Sequence, residues 1–134
     1  MEQPLVTVIT VCYNAREMLL RTMNSVWAQT YKHVEYVIVD GASTDGTLEL
    51  LEEYGGRIDH WVSESDKGIY DAMNKGVSMA KGKWVIFMNA GDCFADNHVL
   101  ESVFSVPRQA DVIYGDVVKG GVVKKASSPR NAHR

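Results

Sequence analysis

Residues Trp84–Asp92 read WVIFMNAGD. An apolar run stops at Met88, a small polar turn follows, and the turn ends in a carboxylate. A short continuous apolar run bounded by turn formers is the pattern of a strand buried on both faces. Three upstream segments repeat the plan. Leu5–Val11 (LVTVITV) is followed by CYNA, Val34–Val39 (VEYVIV) by DGASTDG, and Ile58–Val62 by SESDKG. Side by side in a parallel sheet, such strands gather their polar ends at one edge, and that edge is where open α/β sheets bind ligands.

Between the strands the period changes to that of a helix. Met18, Leu19, Thr22, Met23, Val26 and Trp27 form one apolar face up to about Ala28, and Asn14 with Glu17 has capping-box spacing. Thr44 or Asp45 can cap a short helix, LELLEEYG, which Gly55 or Gly56 ends. Ile69, Met73, Val77 and Ala80 recur at helical spacing before Gly82, and Asp96 or Asn97 caps a helix carrying Val99, Leu100, Val103 and Phe104. Asp111–Tyr114 reads as a fifth strand and Val117–Val123, around Gly120-Gly121, as a hairpin. Strands alternating with helices predict an α/β fold: a mostly parallel sheet with helices on both faces and right-handed crossovers. The basic stretch after Gly121, VVKKASSPRNAHR, has no helical or strand period and reads as a frayed tail or the stump of a longer protein.

The 134 residues suffice for one domain with a core. With 46% hydrophobic and 23% charged residues and a formal net charge of −3, the composition is that of a soluble globular protein, without the basic face that nucleic acid demands. WVIFM falls far short of the roughly 20 residues that span a bilayer. The start, MEQPLVTVIT, lacks a signal peptide's basic and apolar regions. Cys12 and Cys93 have no partner at zinc-like spacing, read as small buried residues, and fit a reducing, cytoplasmic setting.

The four loops bring Asp40, Asp45, Glu64, Asp66 and Asp92 to one edge with a single basic residue, Lys67. Converging carboxylates repel, and a hard cation such as Mg²⁺ or Mn²⁺, often sharing substrate phosphates, would relieve that cost. Each loop alone is also plain turn chemistry; only the four together point to a site. No Gly-x-Gly-x-x-Gly, P-loop or Gly-x-Ser-x-Gly elbow is present. Trp27, Trp61 and Trp84 read as core residues, whereas Tyr13 lies at the site edge, able either to stack on a base or simply to pack.

VTVITVCYNA, VIVDGASTDGT and ESDKGIYDAMNKGVSMAKGKWVIFMNAGD, in this order, resemble the family 2 glycosyltransferases of GT-A fold, over roughly Pro4–Gly115. The nearest likeness is to bacterial transferases that build colanic-acid-like exopolysaccharide or other surface glycans. The resemblance implies a Rossmann-like nucleotide-diphospho-sugar transferase fold and residue roles. Thr10, Tyr13 and Asn14 would border the nucleotide. Asp40 would accept a hydrogen bond from the base, typically the uracil N3–H, and Asp45 would order its loop. Asp66 and Lys67 would lie beside base and ribose, and Asn74 would reach the nucleotide from its helix. Asn89, Ala90, Gly91 and Asp92 take the place of the Asp-x-Asp motif, with Asp92 on the metal, Mg²⁺ or Mn²⁺. Asn89 is a departure, a neutral amide where Asp is usual, so the metal site is one charge short; NAGD occurs as a variant in a subgroup of the family.

The implied reaction is transfer, with inversion, from a nucleotide-diphosphate sugar, a UDP-sugar, to a hydroxyl of a glycan or lipid-linked acceptor. The implied general base lies downstream of the fifth strand. Asp111 opens that strand, and Asp116 follows it at a position the family does not use for the base. The expectation is therefore a C-terminally truncated enzyme: residues 1–116 a nucleotide-sugar-binding core, residues 117–134 a hairpin and tail opening a missing acceptor-binding region, and the base absent. The expected location is cytoplasmic, with association at the inner face of the membrane through the missing region. Two alternatives stand beside it: a nucleotide-sugar-binding module without transfer activity, and a nucleotidyltransferase, which would need a Gly-rich triphosphate loop not found here. The sugar, the acceptor and the oligomeric state are not legible.

Overall fold

The computed structural model of the protein describes residues 4–104 and the backbone of residues 112–113 and 122–125. The elements run β1 (Val6–Cys12), α1 (Arg16–Trp27), β2 (Val34–Asp40), α2 (Thr47–Glu53), a 3₁₀ turn (Gly55–Arg57), β3 (His60–Ser63), α3 (Ile69–Met79), β4 (Trp84–Asn89), α4 (Val99–Phe104), β5 (Val112–Ile113) and β6 (Val122–Lys125). They build one sheet in the order β3-β2-β1-β4-β6-β5. β1 to β4 are mutually parallel, and β6 runs antiparallel between β4 and β5. The order reverses between β1 and β4: from β1 the chain steps outward to β2 and β3, then returns to the other side of β1. A reversal of this kind leaves a crevice at the carboxyl ends of the two strands.

The apolar runs are continuous because both faces of the sheet are covered. Val6, Val8 and Cys12 of β1 face one way, with Tyr36, Ile38, Trp84, Ile86 and Met88, against Leu19, Met23 and Val26 of α1, Leu50 and Leu51 of α2 and Leu100 and Phe104 of α4. Ile9 and Val11 face the other way, with Val37, Val39 and Val85, against Ala72 and Ala80. Each fully buried Leu or Ile contributes about 1.5–3 kcal/mol relative to exposure. Trp84 is buried, and Trp27 and Trp61 pack partly buried on the same core.

α3 sits closer than its apolar periodicity predicts. Its innermost residues are Ala72 and Gly76 rather than Ile69, which is exposed. A Cβ on Gly76 would stand 2.5 Å from Ile9 Cγ2, so only glycine admits this approach.

Several local expectations are corrected. Asn14 does not cap α1: it adopts φ 49° and its Oδ1 accepts the Thr44 N–H at 2.8 Å. The donor at the head of α1, the Arg16 N–H, goes instead to Asp45 Oδ2 at 3.0 Å, from the loop after β2. The third strand begins at His60, because the Arg57 and Ile58 N–H groups bond back to Tyr54 and Gly55 in the 3₁₀ turn. Asp96 accepts the His98 N–H at 2.7 Å, as expected of a cap, but the Leu100 N–H of α4 is held by the buried Gln29. The basic segment after Gly121, read as frayed tail, contributes β6, with Phe87 opposite Val122 and Trp84 opposite Lys125. The hairpin expected over residues 117–123 falls mainly on residues outside those described, as do most of the expected C-terminal region, 117–134, and both Asp111 and Asp116.

Candidate functional site

The loops after β1, β3 and β4 frame an open cleft of about 380 Å³ at the reversal of strand order. Val11, Cys12, Tyr13 and Ala15 line one side, Asn89 and Ala90 the other, and Asp66, Gly68, Ile69 and Ala72 close the third. Tyr13 is 65% exposed although it lies among buried strand ends, so its ring is free to meet a ligand. Asp66 Oδ1 accepts the Gly68 N–H at 3.0 Å. Its Oδ2 lies 3.0 Å from where a Cβ on Gly41 would stand, with the Tyr13 ring 3.4 Å from the same point. The loops after β1, β2 and β3 therefore meet at one spot, and a side chain at 41 would press on the Asp66 carboxylate.

Asp40 builds that meeting point from below. It is fully buried. Oδ2 accepts the Ser43 N–H at 2.9 Å and the Ser63 hydroxyl at 2.8 Å, while Oδ1 accepts the Ser43 hydroxyl and, at 3.4 Å, the Cys12 thiol. A carboxylate with several donors holds them more strongly than a neutral acceptor would. Burial, and then the negative Asp40, push the Cys12 thiol far above its usual range, so it stays protonated and donates.

The turn after β4 is fastened to α1. Thr22, fully buried, accepts the Gly91 N–H at 2.8 Å and donates to the Asp92 carbonyl at 2.8 Å. Gly91 has φ +103°, a conformation that a side chain would strain. Asp92 Oδ2 accepts the Asn89 N–H at 2.9 Å and so closes its own turn.

Of the residues expected to touch nucleotide, the cleft collects Tyr13, Asp66, Asn89 and Ala90. The others lie apart from its lining. Thr10 is fully buried and hydrogen-bonded to the Tyr36 hydroxyl at 2.8 Å, so its side chain has no open face. Asn14 is engaged with Ser43 and Thr44. The carboxylate of Asp40 is buried and accepts hydrogen bonds from Ser43 and Ser63 of the neighbouring loops. Lys67, Asn74 and Gly91 are exposed and Asp92 is half-buried, and none of the four is among the residues that line the cleft.

Among the described residues no group of three or more His, Cys, Asp or Glu could hold a metal ion. The donor set at the β4 end is one carboxylate, Asp92, and one amide, Asn89. That set fits a Mg²⁺-like ion only in the manner in which such ions bind one or two carboxylates and take their other ligands from phosphate and water.

A family model described as glycosyl transferase family 2 matches residues 7–133. The chain belongs to that family. It is 32% identical over 124 residues to a PGL/p-HBAD biosynthesis glycosyltransferase of Mycobacterium tuberculosis, covering 88% of this chain and 48% of the relative. It is 40% identical over 94 residues to the putative teichuronic acid biosynthesis glycosyltransferase TuaG of Bacillus subtilis, covering 67% and 37%. The family 2 chain thus spans about half or less of the length of the curated relatives it matches. In fold it is similar to the mannosyltransferase PcManGT from Pyrobaculum calidifontis, solved with GDP-Man and Mn²⁺, at a TM-score of 0.73 and 24% identity over 84% of this chain and 35% of that one. It is also similar to S. aureus TarS 1-349 in complex with UDP-GlcNAc, at a TM-score of 0.66 and 25% identity over 75% and 30%. The parallel β1–β4 sheet with its helices is the GT-A, Rossmann-like arrangement of these neighbours.

Sequence reasoning missed several residues that hold the site of this family 2 domain. Thr22 is hidden in the apolar face of α1; a hydroxyl at the centre of such a face was the available signal. Ser43 and Ser63 read as turn residues, and nothing local marks them as donors to Asp40. Among the described residues no helix is long and apolar enough to cross a membrane.

Proposed function

We propose that this chain is the donor-binding part of an inverting glycosyltransferase, which carries a sugar from a nucleotide-diphosphate donor, a UDP-sugar, to a hydroxyl of a glycan or lipid-linked acceptor. The observation that carries the reading is the cleft at the reversal of strand order, with an exposed aromatic ring at 13 and a carboxylate at 66 on one side and the Asn89–Ala90 turn on the other. The TarS complex with UDP-GlcNAc supports a uridine nucleotide, and the teichuronic acid biosynthesis relative supports a polysaccharide acceptor.

In this reading Tyr13 stacks on the base and Asp66 accepts hydrogen bonds from base or ribose. Asn89 offers its amide to a ribose hydroxyl or the diphosphate, and Lys67 and Asn74 sit at the rim. Asp92, with Asn89, would hold Mg²⁺ or Mn²⁺. When bound, the ion stabilises the charge that builds on the leaving diphosphate. Asp40 acts through the loops it fastens. We place the general base that deprotonates the acceptor hydroxyl outside the described residues, because this reading assigns Asp66 and Asp92 to the donor. We also place the reaction on the cytoplasmic side, at the inner face of the membrane.

With both carboxylates assigned to the donor, a second reading follows: the chain on its own binds donor without transferring it. Calorimetry with UDP and Mn²⁺ tests the shared claim. Binding is expected, weakened by Asp92→Ala and abolished by EDTA; absence of binding to any nucleoside diphosphate would remove both readings. Release of free sugar from donor without acceptor would show chemistry in this chain and exclude the binding-only reading.

A further inference from the structure

The loop that carries Asp66 is tied to α3 on both sides of that residue. Before it, Lys75 Nζ donates to the Ser65 carbonyl at 3.0 Å and pairs with Glu64 Oε2 at 3.1 Å. After it, Asp71 Oδ2 accepts the Lys67 N–H at 3.0 Å, and the same oxygen lies 3.8 Å from Lys75 Nζ. The Lys75 side chain is 23% exposed, well covered for a surface lysine. A lone surface ion pair contributes little. Here one ammonium reaches a carbonyl and two carboxylates, which makes a network with a defined geometry. The next residue, Gly76, is seated on Ile9 of β1. Lys75 therefore passes the position of the central strand to the loop, and the loop sets Asp66 against Gly41 and Tyr13.

We propose that Lys75 is a positioning residue for donor binding, holding the 64–67 segment so that the Asp66 carboxylate faces the cleft beside Tyr13. The proposal rests on reading that cleft as the nucleotide site. It adds a residue that lines no part of the cleft. Lys75→Met keeps an unbranched apolar stem and removes all three donors; Lys75→Arg keeps the charge.

Two measurements on the full chain test it. In Lys75→Met, amide hydrogen exchange should quicken at Lys67 and Gly68 and stay unchanged in β1 and β4, with Tm close to that of the parent. Calorimetry with UDP and Mn²⁺ should show affinity about tenfold weaker, as for other residues that orient a ligand-contacting group. Lys75→Arg should restore both readouts. Unchanged exchange at 67–68, unchanged affinity, or a loss spread over the whole sheet that arginine does not rescue would each overturn the proposal. Failure of the parent chain to bind UDP would overturn the donor reading instead, and the exchange measurement would still decide whether Lys75 anchors the loop.

Discussion

The Thr22 hydroxyl, buried in the middle of α1, donates to the carbonyl of Asp92 at 2.8 Å and accepts the Gly91 N–H at the same distance. One side chain thereby joins the first helix to the turn that ends the fourth strand. Thr22→Val has nearly the same shape but lacks the hydroxyl, leaving two backbone groups without that partner. The expected loss is about 1–3 kcal/mol of stability, read as a lower Tm. Thr22→Ser should lose much less. Nucleotide affinity should fall with Thr22→Val, because Asn89 and Asp92 lose their support.

Asp45 bridges two helices from one loop, accepting the Arg16 N–H of α1 and the Thr47 hydroxyl and N–H of α2. The bond from the Thr47 hydroxyl foremost, and those from the Arg16, Thr47 and Asp45 backbone amides, hold its carboxyl below the usual range. A folded-state pKa below the unfolded value, near 3.8, means that the contribution is complete above that value and is lost as pH falls through the lower one. The Tm of the parent chain should exceed that of Asp45→Asn at neutral pH, and the gap should close as pH drops below 3.8. A gap that stays constant through the acid range would contradict this role.

The two cysteines should differ in reactivity. Cys12 is buried, with burial and then Asp40 keeping its thiol protonated, whereas Cys93 is half-buried. Thiolate is the reactive form. Titration with a thiol reagent should modify one cysteine in the native protein, identified by peptide mapping as Cys93, and both after denaturation. Rapid modification of Cys12 in the native state would contradict the closed arrangement around Asp40.

Tyr13 is the exposed ring of the cleft. Stacking of a base on an aromatic side chain is worth about 1–3 kcal/mol, so Tyr13→Ala should weaken UDP binding by that amount while Tyr13→Phe binds as the parent does. Calorimetry reads both. Equal affinity in all three would remove Tyr13 from the nucleotide site.

The strands were legible because burial on both faces leaves an unbroken apolar run, as in LVTVITV and WVIFM. Their alternation with helices was enough for a mostly parallel sheet. The site was legible only as a set of loops. Parallel topology forces the ends of β1 to β4 to one edge, which brought Tyr13, Asp66 and Asn89 within reach of one cleft. The Ser63 hydroxyl on Asp40 and the Asp45 carboxylate on Arg16 were not legible, because the partners lie far apart in the chain and neither carries a local pattern. The strand character of Lys124 and Lys125 was hidden too: Val122 and Val123 belonged to the expected hairpin, but the two lysines read as a basic segment, and pairing with β4 supplies the backbone partners their side chains do not announce.

By itself the sequence determined the kind of fold and the sheet edge at which the polar loops gather, since both follow from local periodicity and from the handedness of parallel crossovers. The tertiary structure decided which polar residues line the cleft and which hold the loops. Asp40 and Asp66 are both loop carboxylates in the chain. One is enclosed by Ser43, Ser63 and Cys12, and the other stands in the cleft. Hydrogen-bond partners from distant segments compete for each oxygen, and only packing settles which of them arrive.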